Sequence, residues 1–342
     1  MHKDLKRLFA TLLVAIVAVF ALAACSGGSS TTPSGSEPAG SEAAAEDVTV
    51  RVASLKGPTS IGLAELMQRA DAGETDQSYD FQMFAAADEL NPLVIKGEVD
   101  IALVPANVAA ILFNKTEGGV TVVDINTLGV LYCVAADDSI QSVADLAGRT
   151  VVLTGKGQTP EFVVNYLLEQ AGIADQVTLE YKDEATEVVA ALSADPNAIG
   201  ILPQPFVTAA CAKNEALSVR FGLTEAWAEV APEGSQMVTG VTVVRTEFLQ
   251  EHPEAVAQFM LDQANSVQMV NEDPQTYGQV VADLGIVDAA PIATAAIPGC
   301  NLVCITGAEM QAALEGYYGV LFDADPSSLG GALPTAEFYY VA

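Results

Sequence analysis

From about residue 48 onward, short apolar and β-branched runs alternate with longer stretches whose apolar positions recur at helical spacing. "RVASL" (51–55), "DIALV" (100–104), "VVLT" (151–154) and "AIGIL" (198–202) read as buried strands, each followed by a turn and an amphipathic stretch. "SYDFQMFAA" and "QVTLEYKD" supply further strands, and "ADELNPLVIKGE" and "ATEVVAALSADP" the helices after them. Such alternation predicts βαβ units on mainly parallel sheets flanked by helices, an α/β fold.

The pattern is duplicated. Placing "RVASLKGPTSIGLAELM" (51–67) over "VVLTGKGQTPEFVVNYL" (151–167) matches Val52 with Val152, Lys56 with Lys156, Gly57 with Gly157 and Thr59 with Thr159. Placing "DIALVPANVAAILFNK" (100–115) over "AIGILPQPFVTAACAK" (198–213) matches Ile101 with Ile199, Pro105 with Pro203 and Lys115 with Lys213. Two pairs in the same order and at nearly the same offset indicate an internal repeat. Each half reads βαβαβ and predicts one lobe. The turns at 55–60, 104–107, 154–159 and 202–205 then fall at strand carboxyl ends, where α/β sheets place ligands.

"DINTLGVLYCVAADD" (124–138) and "QMVTGVTVVRTEF" (236–248) are extended and read as crossings between the lobes. The first lobe is expected to comprise residues 48–127 and 241–342, the second 128–240. "PEAVAQFMLDQANSVQMVNED" carries Val256, Phe259, Met260 and Val267 at helical spacing and is expected to return to the first lobe. Trp227 reads as a core residue.

The N-terminus changes the setting. Lys3, Lys6 and Arg7 precede an apolar run that ends in Leu22-Ala23-Ala24-Cys25, which reads as a signal peptide (1–24) with a lipidation site at Cys25. Residues 25–47 are rich in Ser, Gly, Pro, Ala and Glu, the composition of a flexible tether of roughly 25 Å reach. An extracytoplasmic protein held at the cell membrane by its lipid follows. Without residues 1–24, 11 Lys+Arg face 43 Asp+Glu, a net charge of −32. A body this acidic repels nucleic acid and anionic membrane surfaces.

Candidate chemistry is sparse. In "PGCNLVCITG", Cys300 and Cys304 are close enough in sequence for a short-loop disulfide in an exported protein, while Cys133 and Cys211 read as buried thiols. His252 is the one histidine left after the signal, which argues against a metal site and against a His-dependent catalytic triad. No cofactor is indicated. The "TGKGQTP" stretch resembles a phosphate-binding loop, but Gly155-Lys156 is followed by Gly157 in place of Ser or Thr, and Thr150 stands where the first Gly belongs. Its glycines instead let the backbone approach a ligand, ahead of a helix capped by Thr159.

Signal, tether and duplicated lobes together resemble the extracytoplasmic solute-binding proteins of bacterial ABC importers, in particular the nitrate, sulfonate and thiamine-precursor binding group. "KGPTSIGLAELM", "IKGEVDIALVPANVAAILFNK", "SVADLAGRTVVLTGKGQTPEFVVNYLLEQAGI" and "EFLQEHPEAVAQFM" carry the resemblance. It implies a two-lobed, type II-like periplasmic-binding-protein fold, a monomer, and capture of a small solute in the interlobe cleft for delivery to permease and ATPase subunits. By resemblance the solute contacts are Lys56, Pro58, Thr59, Ser60, Pro105, Asn107, Lys156, Gln158, Thr159, Gln204 and Pro205. Lys56 and Lys156 suit an anionic solute; Asn107, Gln158 and Gln204 suit a small heterocycle. The same fold hosts enzymes of pyrimidine and menaquinone pathways, against which the export signal argues, and a surface sensory receptor is the other alternative.

Overall fold

The computed structural model describes residues 48–341; the expected signal peptide, Cys25 and the tether lie outside them. The first half runs β1 (Thr49–Leu55), α1 (Pro58–Ile61), α2 (Ala64–Ala72), β2 (Ser78–Phe84), α3 (Ala87–Lys96), β3 (Ile101–Pro105), α4 (Ala106–Lys115) and β4 (Val120–Leu128). The chain then enters β5 (Leu131–Ala135), β6 (Thr150–Thr154), α5 (Thr159–Gln170), β7 (Thr178–Lys182), α6 (Ala185–Ala194), β8 (Ile199–Pro203), α7 (Phe206–Lys213), β9 (Ser218–Gly222) and α8 (Leu223–Val230). It returns through β10 (Val238–Arg245), α9 (Thr246–Glu251), α10 (Pro253–Glu272), α11 (Pro274–Asp283), α12 (Ala290–Ala296), β11 (Leu302–Ile305) and α13 (Gly307–Ala324).

Two sheets result, in the order β2-β1-β3-β10-β4-β11 and β7-β6-β8-β5-β9. The repeat therefore extends to topology: β10 lies in the first sheet where β5 lies in the second, and β4 matches β9. Within β2-β1-β3 and β7-β6-β8 the strands are parallel. β10 runs antiparallel to β3 and β4, and β5 antiparallel to β8 and β9. The sheets are mainly parallel, as expected: only β10 and β11 run against the others in the first sheet, and only β5 in the second. β10 and β5 arrive from the opposite lobe, so each starts at the edge where its neighbours end and must run the other way.

The first repeated helix departs from expectation. It is broken into α1 and α2, because Ser266 of α10 inserts between them, donating to Gly62 O at 2.7 Å and accepting from Leu66 N at 3.1 Å. A Cβ on Gly62 would sit 3.1 Å from Val267 Cγ2, so glycine permits this close approach. The face that α10 lays on the lobe includes Val256, Phe259 and Val267, all buried, as its spacing predicts.

The crossing strands carry buried polar groups. Asp124 on β4 is wholly buried; its Oδ1 accepts from Thr242 Oγ1 at 2.9 Å and from Gln263 Nε2 at 3.2 Å. Its Oδ2 has no hydrogen-bond partner, and burial pushes the carboxyl up to about 7 against the pull of those two donors. Asp100, by contrast, receives Arg51 Nε at 2.8 Å and Arg245 Nη2 at 3.2 Å. Burial would raise its carboxyl, but these hydrogen bonds hold it below the usual range.

α13 packs on both halves: Tyr317 meets Trp227 of α8 edge-on at 5.4 Å, and Tyr318 donates to Ala106 O at 2.8 Å. Trp227 is fully buried, its Nε1 bonded to Ser235 Oγ at 3.1 Å. Cys133 is buried and Cys211 half-buried. The disulfide expected between Cys300 and Cys304 is not formed; both are free thiols. Cys300 packs in the core beside Ile297, whereas Cys304 rides on extended β11. Each strand residue adds ~3.3 Å, and a disulfide holds its Cα atoms within ~7 Å.

Candidate functional site

The turn after β6 is built by two glycines in the left-handed region, Gly155 (φ 84) and Gly157 (φ 71), where any Cβ would be strained. Gln158 N closes it on Gly155 O at 3.0 Å. Gln158, not Thr159, occupies the cap position of α5; Thr159 is the first helical residue, and neither side chain caps the helix. The donor is satisfied from inside the helix. Glu161 Oε2 accepts the Gly157 N–H, and its Oε1 accepts Tyr181 Oη of β7 at 2.8 Å. Burial, reinforced by Glu161, pushes the Tyr181 hydroxyl well above its ordinary range.

Between this turn and the end of β7 opens a recess of about 670 Å³. Thr154, Lys156 and Gln158 line one side, and Tyr181, Lys182 and Asp183 the other. Lys156 Nζ lies 5.8 Å from the Tyr181 ring centroid, within reach of a cation–π contact. Lys182 pairs with Glu180 at 2.7 Å, a hydrogen bond that raises the ammonium's pKa. The recess thus offers one lysine held over an aromatic face and amide, hydroxyl and carboxylate groups around it.

In the first lobe the corresponding turn is occupied differently. Lys56 is exposed, and its N–H donates to Phe84 O at 2.9 Å. Pro58 opens α1; Thr59 donates to Leu55 O at 2.9 Å and Ser60 to the same carbonyl at 2.6 Å. Ser60 is fully buried and shares a 2.6 Å hydrogen bond with Ser54, so it braces the turn from within. Pro105 pairs with Gly240 of β10, where a Cβ would lie 2.6 Å from both Thr59 Cγ2 and Asn126 Oδ1. Glycine there lets the turn settle onto the sheet.

The remaining expected contacts lie apart from the recess. Asn107 reaches Ser328 O at 3.5 Å. Gln204 is nearly buried; its Oε1 accepts from Thr208 Oγ1 at 2.9 Å, and its amide abuts Gly299 of the other lobe. Pro205 caps α7, which packs against α12. Beside these, Tyr132 donates to Gly299 O at 2.7 Å and Asn301 to Gly129 O at 2.5 Å. Gln204 therefore sits where the lobes meet near the crossings. The structure brings together Lys156 with Gln158, and Thr59 with Pro105. Tyr181, Lys182 and Glu161 were missed as site residues, although "EYKD" ends the strand beside β6 and Gln158-x-x-Glu161 has the spacing of a capping box. Among the described residues no helix is long and apolar enough to cross a membrane, and no cluster of potential metal ligands occurs.

Residues 72–293 match the family model described as ABC transporter, phosphonate, periplasmic substrate-binding protein. No curated protein matches the sequence significantly. Solved structures do. An ABC transporter protein from Parabacteroides distasonis is 21% identical with a TM-score of 0.73, covering 86% of this chain and 99% of that one. The periplasmic aliphatic sulphonate binding protein SsuA from Escherichia coli is 14% identical with a TM-score of 0.65, covering 82% of this chain and 88% of its own. The alkanesulfonate-binding protein SsuA from Xanthomonas axonopodis pv. citri, solved with MOPS, is 15% identical with a TM-score of 0.62, covering 87% and 100%. At these identities the solved structures testify to the fold, which is that of the periplasmic binding proteins. With the family model spanning well over half of its length, the chain belongs to the phosphonate family of periplasmic substrate-binding proteins of ABC transporters.

Proposed function

We propose that this binding protein, which by family is not an enzyme, is the lipid-anchored solute receptor of an ABC importer. It captures one small polar solute at the strand carboxyl ends between its lobes and presents it to a permease driven by ATPase subunits. Cys25 carries the lipid, the residues after it are the tether, and the receptor works as an extracytoplasmic monomer. The observation that carries this reading is the duplicated topology, β2-β1-β3-β10-β4 against β7-β6-β8-β5-β9, with Lys-Gly turns at matching strand ends. Two such turns grip a solute from opposite sides, and a solute touching both lobes favours the closed arrangement. Lys156, Gln158 and the Tyr181 face supply the second lobe's contacts; Lys56, Thr59 and Pro105 supply the first lobe's.

The test is a thermal-shift screen of phosphonates, sulfonates, nitrate, heterocycles and amino compounds, followed by small-angle scattering with any hit. A hit at one hundred times its Kd stabilises by about 2.7 kcal/mol, and the radius of gyration should fall at saturation. A screen without hits, or an unchanged scattering profile with a saturating hit, rejects the clamp. Mass spectrometry of the membrane fraction should find a diacylglyceryl group on Cys25; a mature N-terminus elsewhere rejects the anchor.

A further inference from the structure

Glu161 has a position that the binding reading does not use. Its carboxylate lies in the first turn of α5, behind the Gly155-Lys156-Gly157 turn, and both oxygens are engaged: one by the Gly157 N–H, the other by the Tyr181 hydroxyl. Tyr181 lines the recess, as do Gly155, Lys156 and Gln158 on either side of the Gly157 donor. A backbone N–H at the start of a helix and a neighbouring phenol are the groups that would otherwise receive an oxyanion. Here the protein's own carboxylate has taken them. Around the same recess stand Glu180 and Asp183, with Lys182 committed to Glu180. Among the described residues, Lys156, directed over the Tyr181 ring, is the recess cation without an ion-pair partner.

We propose that Glu161 is a specificity-determining residue: it fills the anion position of the second lobe's turn, so that the recess selects neutral or amino-bearing solutes and discriminates against simple oxyanions. This rests on the reading of the recess as part of a solute site. An arriving phosphate or phosphonate would meet a like charge in place of a donor, and like charges at such distances in a partly desolvated recess lower affinity by roughly an order of magnitude or more. A solute presenting an amine and a carbonyl finds Glu180, Asp183 and the aromatic face for the first and Gln158 for the second.

The experiment compares the full-length protein with Glu161→Gln, which keeps shape and removes charge, and with Glu169→Gln, which removes the same charge from the exposed end of the same helix. Titration calorimetry with methylphosphonate and with inorganic phosphate is the readout. Glu161→Gln is expected to bind both about tenfold more tightly than the wild type, and Glu169→Gln no more tightly than it. Equal affinity in Glu161→Gln and wild type overturns the assignment, as does equal tightening in both variants, which would be a whole-molecule charge effect. Where Glu161→Gln does not fold, Glu161→Ala takes its place with the same criteria, and micromolar phosphate binding by the wild type itself overturns the proposal. Thermal shift with neutral and amino-bearing solutes separates the two levels: a neutral solute bound alike by all three proteins keeps the binding site standing even where the calorimetry overturns the role of Glu161.

Discussion

Replacing Asp124 by Asn should stabilise the protein at pH 8 and leave it nearly unchanged at pH 5. The folded carboxyl titrates at about 7 because burial disfavours its charge, whereas an unfolded one titrates near 3.9. The sign follows from proton counting. Below pH ~4 both states hold the proton; between ~4 and ~7 the unfolded chain releases it and the folded chain keeps it, so stability falls as pH rises. Three units correspond to ~4 kcal/mol, fully lost above pH 7. Asn escapes this loss and still offers an oxygen to Thr242 and Gln263, but its new N–H₂ faces the place where Oδ2 has no partner. An unmatched buried donor costs ~1–2 kcal/mol. The nearby Cys304 thiol, pushed up to about 12 by burial and then by Asp124, stays neutral throughout and adds no titration of its own. The net expectation is a gain of ~2–3 kcal/mol at pH 8. Denaturant titrations at pH 5 and pH 8 measure it. A difference between variant and wild type that does not change with pH, or a variant weaker at pH 8, would refute the account.

Asp100→Asn should act in the opposite direction, costing ~2–3 kcal/mol at pH 7 by leaving Arg51 and Arg245 without their shared carboxylate; the half-exposed Arg51 keeps the loss below that of a fully buried pair. The same denaturant titrations read it. Ser266→Ala should cost ~1–3 kcal/mol, since Gly62 O and Leu66 N both lose their partner inside the α1–α2 break. Guanidinium midpoints would show it, and a loss under 0.5 kcal/mol, on the order of a surface substitution, counts against the insertion. Cys300 and Cys304 should remain thiols, so the intact mass after alkylation under denaturing conditions should be identical with and without prior reductant; a gain of two alkyl groups on reduction restores the bridge.

What the sequence made legible is what depends on local chemistry. Val52 and Val152, Lys56 and Lys156 lie at equivalent places because strand burial and turn residues leave a periodic record in the chain. The direction of β5 and β10 leaves none: an apolar run is equally buried running either way, and direction is set by the lobe from which the chain arrives. The break at Gly62 depends on Ser266, two hundred residues away, and no local pattern encodes it. Cys300 and Cys304 suggest a bridge by spacing, but spacing is blind to the strand between them. At the turn itself Gly155 and Gly157 were readable from their freedom at positive φ. Tyr181 was not, because its hydroxyl matters only through the adjacency of β7 to β6. Ser60 and Thr59 are both buried and both donate to Leu55 O, and that Ser60 alone is locked to Ser54 as well is something residue type cannot express.

The contacts of α13 bear on the order in which the molecule can be completed during synthesis. Tyr317 covers Trp227 and Tyr318 seals Ala106, so both lobes wait for the last stretch of chain to close their interiors. β10, interior in the first sheet, is likewise made only after the whole second lobe has been threaded out. A chain emerged only through the second lobe would hold all five strands of the second sheet but lack β10 and β11 of the first, with the Trp227 face bare. Neither interior can therefore be completed until residues near 317 have emerged. A chain shortened before Gly307 would leave both lobes vulnerable to proteolysis together, and not merely the C-terminal one.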